Sequence, residues 1–154
     1  MFILEVAAAL RKAGVSFAVA GGHAVSLHGA VRGTVDLDLV LRLAQSDYEA
    51  AERALKALGL EPRLPVSAAE VFAFRKEYIE KRNLAAWSFC DPKDPTRLVD
   101  IIITHDLGKL KTKAFKIDGT SLPVLSLGDL IAMKRACGRP QDLEDVRALE
   151  ELRA

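Results

Sequence analysis

The sequence has few of the residues that build disulfide-linked or zinc-binding proteins. Its cysteines, Cys90 and Cys137, are far apart and form no CxxC pair, which argues against a disulfide scaffold or a zinc knuckle and fits a reducing cytosol. No hydrophobic run approaches the length that crosses a membrane. The apolar N-terminal segment precedes Arg11 and Lys12, the reverse of a signal peptide. We therefore predict a cytoplasmic protein with no membrane partner.

An excess of charge of one sign is also missing. The formal net charge is +1, and this value by itself points to neither nucleic acid nor membrane. The 154 residues, half of them hydrophobic, are enough to bury a core and fit one domain of ordinary size. We predict a single globular domain over residues 1–154.

Hydrophobic periodicity and turn residues predict an α+β domain with a mixed sheet flanked by helices. The first half of the chain predicts a helix ending at Gly14, a strand over 15–20, a short helix over 23–28 and a strand over 35–43. Capping boxes at 46–49 and 67–70 predict helices that reach Leu58 and roughly Lys81. The second half predicts paired strands over 84–89 and 97–104, a hairpin turning at Asp118-Gly119, and two closing helices separated at Gly138 and Pro140.

Two aspartates stand out within the strand predicted over 35–43. Asp36 and Asp38 fall on the same face of a strand, about 7 Å apart along the chain direction. Like charges held that close repel each other unless a cation lies between them. Mg²⁺ or Mn²⁺ suits oxygen ligands, and Mg²⁺ commonly binds one or two carboxylates together with substrate phosphates. The pair therefore predicts a divalent metal site.

A third carboxylate and two glycines extend this pattern. Asp100 interrupts the apolar run "LVDIII", and a buried strand carboxylate requires a partner. If its strand lies beside that of Asp38, the three carboxylates converge in a metal site for displacement at phosphorus. Gly21 and Gly22 fall at a strand end before a helix, where backbone N–H groups can approach phosphate. Arg32 and Thr34 are further candidate phosphate contacts.

The segments "GGHAVSLHG" and "RGTVDLDL", followed by a later strand aspartate, resemble a known family. They are similar to the nucleotidyltransferase superfamily related to DNA polymerase β, whose signature is a Gly-Gly or Gly-Ser pair followed by D-x-D/E. The form seen here looks closest to the small bacterial members, which include the nucleotidyltransferase toxins of type IV toxin–antitoxin systems. The distal segment "MKRACGRPQDLEDVRAL" is similar to a lysine and "R-x-x-D-h-x-D-h" motif of those toxins. The resemblance spans residues 15 to about 149.

The resemblance implies roles for individual residues. Catalysis and metal binding would belong to the three strand carboxylates, Asp36, Asp38 and Asp100. Nucleotide binding would belong to the glycine motif and the distal motif, that is, to Gly21, Gly22, Lys134, Asp142 and Asp145. Many members have Ser as the second residue of the glycine motif, whereas Gly22 has no hydroxyl to donate, so that phosphate contact must come from the backbone or from elsewhere.

The resemblance implies a magnesium-dependent nucleotidyltransferase that moves a nucleoside monophosphate from a nucleoside triphosphate to a hydroxyl or phosphate of an acceptor. RNA or protein is expected as the acceptor ahead of a small molecule, and a cognate antitoxin is a candidate partner. The alternative is a catalytically silent nucleotide- or protein-binding module of the same fold.

Several of these features also have purely structural explanations. A D-x-D pair can face solvent at a sheet edge, and a core acid such as Asp100 can be neutralised by an arginine or by backbone donors. His23 and His28 do not share a helix face, which favours structural roles over metal binding. Lysines recur between residues 109 and 116, and this run is explained better by a solvated face than by an RNA track.

Overall fold

The computed structural model describes residues 1–30 and 33–153. The helices are α1 (Phe2–Lys12), α2 (Gly21–Leu27), α3 (Gln45–Ala57), α4 (Ala68–Ala73), α5 (Arg75–Arg82), α6 (Leu127–Cys137) and α7 (Pro140–Arg153). The strands are β1 (Phe17–Ala20), β2 (Leu37–Leu41), β3 (Glu61–Pro62), β4 (Ala86–Asp91), β5 (Asp94–Ile102), β6 (Thr112–Ile117) and β7 (Thr120–Leu125). A 3-10 turn covers Leu107–Lys109.

The seven strands form one mixed sheet in the order β3-β4-β5-β2-β1-β7-β6. Four neighbouring pairs are antiparallel, namely β1 with β2, β3 with β4, β4 with β5 and β6 with β7, whereas β2 runs parallel to β5 and β1 runs parallel to β7. Because β1 and β2 lie in the middle of the sheet, their side chains are almost entirely buried. The α+β class with helices flanking a mixed sheet is confirmed.

The core is closed by aromatic packing against the sheet. Tyr48 of α3 stacks on Trp87 of β4 with ring centroids 5.9 Å apart, and Trp87 meets Phe89 edge-on at 4.6 Å. All three side chains are buried. Offset and edge-on aromatic pairs of this kind add to the stabilisation from burial alone, so they fix α3 against the half of the sheet that carries β4 and β5.

Several local predictions are confirmed. Ser67 caps α4 in a reciprocal capping box with Glu70. Asp118 and Gly119 have φ values of 48° and 80°, the left-handed conformations of a two-residue hairpin turn. The last two helices separate at Gly138, which has a φ of 65°.

Three local predictions are wrong. The capping box at 46–49 does not form, because α3 begins at Gln45, after the N-cap Ala44 and two positions before the start that the box predicts, and Asp47 instead accepts a hydrogen bond from Nε of Arg42 at 2.9 Å. The helix predicted from the second box is interrupted at Phe74, which divides it into α4 and α5. The strand predicted over 35–43 is shorter, so Asp36 lies before β2 rather than within it.

Within the described residues, no helix combines the length and the apolar character that crossing a membrane requires.

Candidate active site

One row of residues crosses four strands and defines the site. Ala20 at the end of β1 is in register with Asp38 of β2, Asp38 with Asp100 of β5, and Asp100 with Ser88 of β4. Residues in register on neighbouring strands project from the same face of the sheet. The parallel pairing of β2 with β5 therefore brings together two aspartates that are 62 positions apart in the sequence.

A cavity of about 780 Å³ opens over this row. It lies where the start of α2, the segment leading into β2, the strands β4 and β5, and the junction of α6 with α7 meet. Its lining includes most of the residues predicted from the sequence, namely Gly21, Gly22, Thr34, Asp36, Asp38, Asp100, Lys134 and Asp142. Asp145 is not part of the lining, and Arg32 lies outside the described residues, so its predicted phosphate contact stays a prediction.

Both the backbone conformation at residue 21 and the close approach of Asp38 require a glycine there. Its φ of +60° lies in the left-handed region, and a Cβ added to it would stand 1.8 Å from Oδ2 of Asp38. An L side chain at this position is therefore excluded twice, by strain and by overlap. The glycine lets the start of α2 approach the carboxylate of Asp38 directly, which explains why the chain turns on a glycine here.

Burial and the neighbouring carboxylate of Asp100 together disfavour ionisation of Asp38. The pKa of Asp38 is raised to about 7, first by burial, then by the charge of Asp100 and a hydrogen bond shared with it, and further by Asp36, while Lys134 opposes the shift. Oγ of Ser88 donates to Oδ1 of Asp100 at 2.6 Å. The two facing carboxylates therefore attract a proton or a cation strongly.

The segment before β2 carries Asp36 at the cavity wall and runs beside His23 of α2. Thr34 Oγ1 donates to the backbone carbonyl of Asp36 at 3.4 Å. The pKa of His23 is lowered by burial, against the opposing effects of a hydrogen bond with the backbone of Val35 and of the charge of Asp36. His23 is therefore favoured in its neutral form, which agrees with a structural role.

Lys134 forms a buried ionic cluster with the two aspartates of the distal motif. Its Nζ lies 3.3 Å from Oδ1 of Asp142 and 3.0 Å from Oδ2 of Asp145, and the three side chains are between 2% and 9% exposed. The two carboxylates hold the ammonium at the cavity wall. Although burial opposes ionisation of Asp142, its hydrogen bonds with Arg139 and Lys134 lower its pKa.

Sequence reasoning missed several residues of the cavity. Arg139 lines it, and its Nε donates to Oδ2 of Asp142 at 2.7 Å while the side chain stays 75% exposed. Thr104 and a largely apolar wall also line it, the wall consisting of Val35, Ala85, Ala86, Ile102 and Met133. Arg139 was visible as the arginine of the distal motif, but the apolar wall has no sequence signal that separates it from the core.

Within residues 1–30 and 33–153, no group of three or more His, Cys, Asp or Glu side chains is arranged to hold a metal ion. The structure brings Asp38 and Asp100 into contact and leaves Asp36 at the edge of that pair. The expected convergence of three carboxylates is thus seen as one close pair with a third carboxylate nearby.

The fold is that of solved nucleotidyltransferase structures. The chain superposes on the solution structure of the antibiotic-resistance factor ANT(2'')-Ia with a TM-score of 0.65 and 13% identity, covering 96% of this chain and 80% of that chain. The crystal structure of ANT(2'')-Ia in complex with adenylyl-2''-tobramycin gives a TM-score of 0.61 and 14% identity over 98% of this chain and 90% of that one.

A third structure agrees with these two. The antigenic nucleotidyltransferase-like protein from Paracoccidioides brasiliensis gives a TM-score of 0.58 and 18% identity over 98% of this chain and 75% of that chain. No protein-family model and no curated protein sequence matches the chain. At these identities the likeness establishes a nucleotidyltransferase fold, and the activity has to be argued from the site itself.

Proposed function

We propose that the protein is a magnesium-dependent nucleotidyltransferase. It would transfer a nucleoside monophosphate from a nucleoside triphosphate to a hydroxyl or phosphate of an acceptor. The observation that carries the proposal is the contact of Asp38 with Asp100 in a cavity that also contains Gly21 and the held ammonium of Lys134. Carboxylates for a metal and positive groups for phosphates are the two requirements of phosphoryl transfer.

The residues present fit a divalent cation of the Mg²⁺ or Mn²⁺ type. Asp38 and Asp100 offer hard oxygen donors. Burial, and after it the charge of Asp100, raises the pKa of Asp38 to about 7, and a cation would relieve the repulsion between the two carboxylates. Mg²⁺ needs only one or two carboxylates when substrate phosphates complete its coordination, so the nucleotide itself would supply the remaining ligands. Asp36 would be the third protein ligand. When bound, the cation would stabilise negative charge on the phosphate oxygens.

The protein's own residues would then each supply one part of the transfer reaction. The acceptor oxygen attacks the α-phosphorus, its proton passes to the carboxylate of Asp100, and the bond from the α-phosphorus to the bridging oxygen breaks as pyrophosphate leaves. Lys134 would offset charge on the triphosphate, and the backbone N–H groups of Gly21 and Gly22 would bind its oxygens. Ser88 orients Asp100 for the proton transfer.

RNA or protein as the acceptor, a toxin-like role and a cognate antitoxin belong to this proposal through the motif resemblance alone. A thermal-shift titration with the four ribonucleoside triphosphates, with and without Mg²⁺, tests the nucleotide site in wild type and Asp38→Asn. We expect a Mg²⁺-dependent rise in melting temperature that is lost in the variant, since a ligand of the native state stabilises it. The absence of a shift with any triphosphate would instead support the silent binding module.

A further inference from the structure

The strand β6 is an outer strand of the sheet and carries the lysine run of the sequence. It stands last in the sheet order, so β7 is the strand it pairs with in the part of the chain that the structure describes. Residues 109–117, KLKTKAFKI, contain four lysines and no acid. Thr112, Lys113, Ala114 and Lys116 are exposed. The lysines therefore lie along a strand that has one side free.

The register with β7 determines which backbone groups of β6 point outwards. The N–H of Ser126 donates to the carbonyl of Lys111 at 2.8 Å, so Lys111 faces the β7 side. Inward and outward residues alternate along an antiparallel pair. The N–H and C=O groups of Thr112, Ala114 and Lys116 therefore point away from β7. These three residues, together with the lysine side chains of the strand, form what is called here the β6 edge.

The two edges of the sheet differ in their protection against pairing. The opposite edge, β3, has two residues, and one of them is Pro62, which has no N–H. Short strands and prolines are features that prevent an edge strand from pairing with another chain. The strand β6 has six residues in unbroken register with β7 and contains no proline. Its backbone is therefore open to pairing with a further strand.

The lysines select the charge of any strand that pairs there. Among residues 1–30 and 33–153, Lys113 and Lys116 form no ion pair within 4.0 Å. The neighbouring acids lie at the two ends of β6, where Asp129 accepts a hydrogen bond from the backbone N–H of Lys111 at 2.6 Å and Asp118 occupies the hairpin turn. A second copy of β6 would bring further lysines, and like charges on facing strands are destabilising.

We propose that the β6 edge binds an extended acidic segment of a partner protein, which adds one strand to the sheet. The outward N–H and C=O groups would hydrogen-bond to the main chain of that segment, and its acidic side chains would face the lysines. A polyanion without a peptide backbone would leave the outward N–H and C=O groups without partners. The proposal therefore names a protein strand as the occupant.

The position of β6 keeps this interaction apart from the candidate active site. Two strands, β1 and β7, separate β6 from β2, which places the edge roughly 14 Å from the strand of Asp38 at the usual strand spacing. No residue of β6 lines the cavity. The partner would bind while the cavity stays accessible, so this inference goes beyond the proposed function and does not depend on it.

Fluorescence anisotropy with a labelled peptide of four Glu-Val repeats tests the proposal, with a peptide of four Lys-Val repeats as the control probe. We expect the acidic peptide alone to bind. Ala114→Pro should abolish binding, because it removes an outward N–H while leaving the hydrogen bonds to β7 in place. Lys113→Glu and Lys116→Glu should each weaken binding roughly tenfold. Lys76→Glu, the same charge change at an exposed lysine of α5, should change it little.

Controls separate strand pairing from attraction of charge. The acidic peptide with N-methyl groups on alternate residues keeps its charge but loses the N–H groups that pairing requires, so it should bind weakly. Equal binding of this peptide, or of inorganic polyphosphate, would overturn the proposal. So would an acidic peptide that does not bind at low salt, or Lys113→Glu and Lys116→Glu proteins that bind as wild type does.

The remaining controls concern stability and self-association. Ala114→Pro should melt close to wild type, and if it does not, the two exposed lysine variants carry the test. A wild-type dimer in sedimentation analysis that is lost in Ala114→Pro would assign the β6 edge to a second copy and overturn the proposal. Asp38→Asn should bind the acidic peptide as wild type does, whether or not the protein transfers nucleotides.

Discussion

The backbone of Gly21 and the carboxylate of Asp38 are so close that a single added carbon at residue 21 would overlap Oδ2 at 1.8 Å. The contact joins the end of β1 and the start of α2 to the row of carboxylates on the sheet. The glycine motif and the D-x-D motif are therefore one structural unit, in which the position of each depends on the other.

This contact predicts a selective effect of Gly21→Ala. Holding an alanine at the left-handed φ of residue 21 should lower the unfolding free energy by about 1–2 kcal/mol. The new Cβ should also displace Asp38, and this displacement should abolish nucleotide transfer. Gly59→Ala is the matched control, because Gly59 also has a left-handed φ, of +86°, but has open space around it. Urea unfolding should give the loss expected from strain alone for Gly59→Ala and a larger loss for Gly21→Ala, where overlap with Asp38 adds to the strain, with activity lost in Gly21→Ala alone. An active Gly21→Ala enzyme would contradict this account.

Asp38→Asn should stabilise the protein at neutral and alkaline pH. Because the folded pKa of Asp38 is raised to about 7, the native state holds a proton that the unfolded state releases above pH about 4. This group's contribution to stability therefore falls as pH rises from about 4 to 7. Removing the charge should recover roughly 1–3 kcal/mol above pH 7, and the gain should shrink as pH falls, as measured by denaturant unfolding.

Asp106→Asn is a control variant, because its effect on stability at pH 7 should be opposite to that of Asp38→Asn. Hydrogen bonds from the backbone N–H groups of Leu43 and Gly108 lower the pKa of Asp106. Its contribution to stability is present above the unfolded pKa and is lost as pH falls through the folded value, so removing it should destabilise the protein at pH 7. If both variants shifted stability in the same direction, the explanation for Asp38 would fail.

Lys134→Met should be strongly destabilising even though the substituted side chain is apolar. It removes the ammonium shared by the buried carboxylates of Asp142 and Asp145 and leaves Asp142 with the exposed Arg139 alone, and removing one partner of a buried ionic cluster typically costs about 3–5 kcal/mol. The exposed Lys56, whose Nζ lies 3.7 Å from Glu52, is the control, and Lys56→Met should cost less than about 1 kcal/mol. Equal losses in chemical denaturation would mean that the cluster is not the source of the effect.

Ser88→Ala should lower the rate of transfer with little change in stability. Loss of the 2.6 Å hydrogen bond to Asp100 removes the group that orients the proposed proton acceptor, and we expect kcat to fall about tenfold or more. Ser67→Ala should do the reverse, lowering stability by about 1 kcal/mol through loss of the α4 cap with kcat unchanged. Steady-state kinetics together with melting curves would separate the two, and an unchanged kcat in Ser88→Ala would remove Ser88 from the mechanism.

Local signals in the sequence predicted most elements of the fold. The turn at Asp118-Gly119 and the cap at Ser67 depend on residues a few positions apart, so their chemistry was visible in the sequence. The box at 46–49 failed because Asp47 is buried and pairs with Arg42, a tertiary requirement that overrides capping preference. No glycine or proline lies at the break between α4 and α5 at Phe74, so the sequence carries no local signal for it.

The candidate site could be predicted in part for the same reason. Asp38 and Asp100 were recognisable as carboxylates inside apolar strands, but their contact depends on parallel pairing of strands distant in the chain, which no local pattern encodes. The partners of Lys134 and the apolar wall beside Ala85 likewise follow from packing between elements. Sequence thus identified the chemical groups, and the topology determined which of them meet.

The parallel pairing of β1 with β7, which aligns Val19 with Val124, has a consequence for synthesis on the ribosome. The strand β1 is made early but gains its second neighbour, β7, only about 100 residues later, and Lys134 gains its counter-ions later still, with α7. A nascent chain can pair Asp38 with Asp100 once β5 has been made, but the ionic cluster of Lys134 at the cavity wall is complete only after α7. Nucleotide would first be bound after α7 has packed against α6.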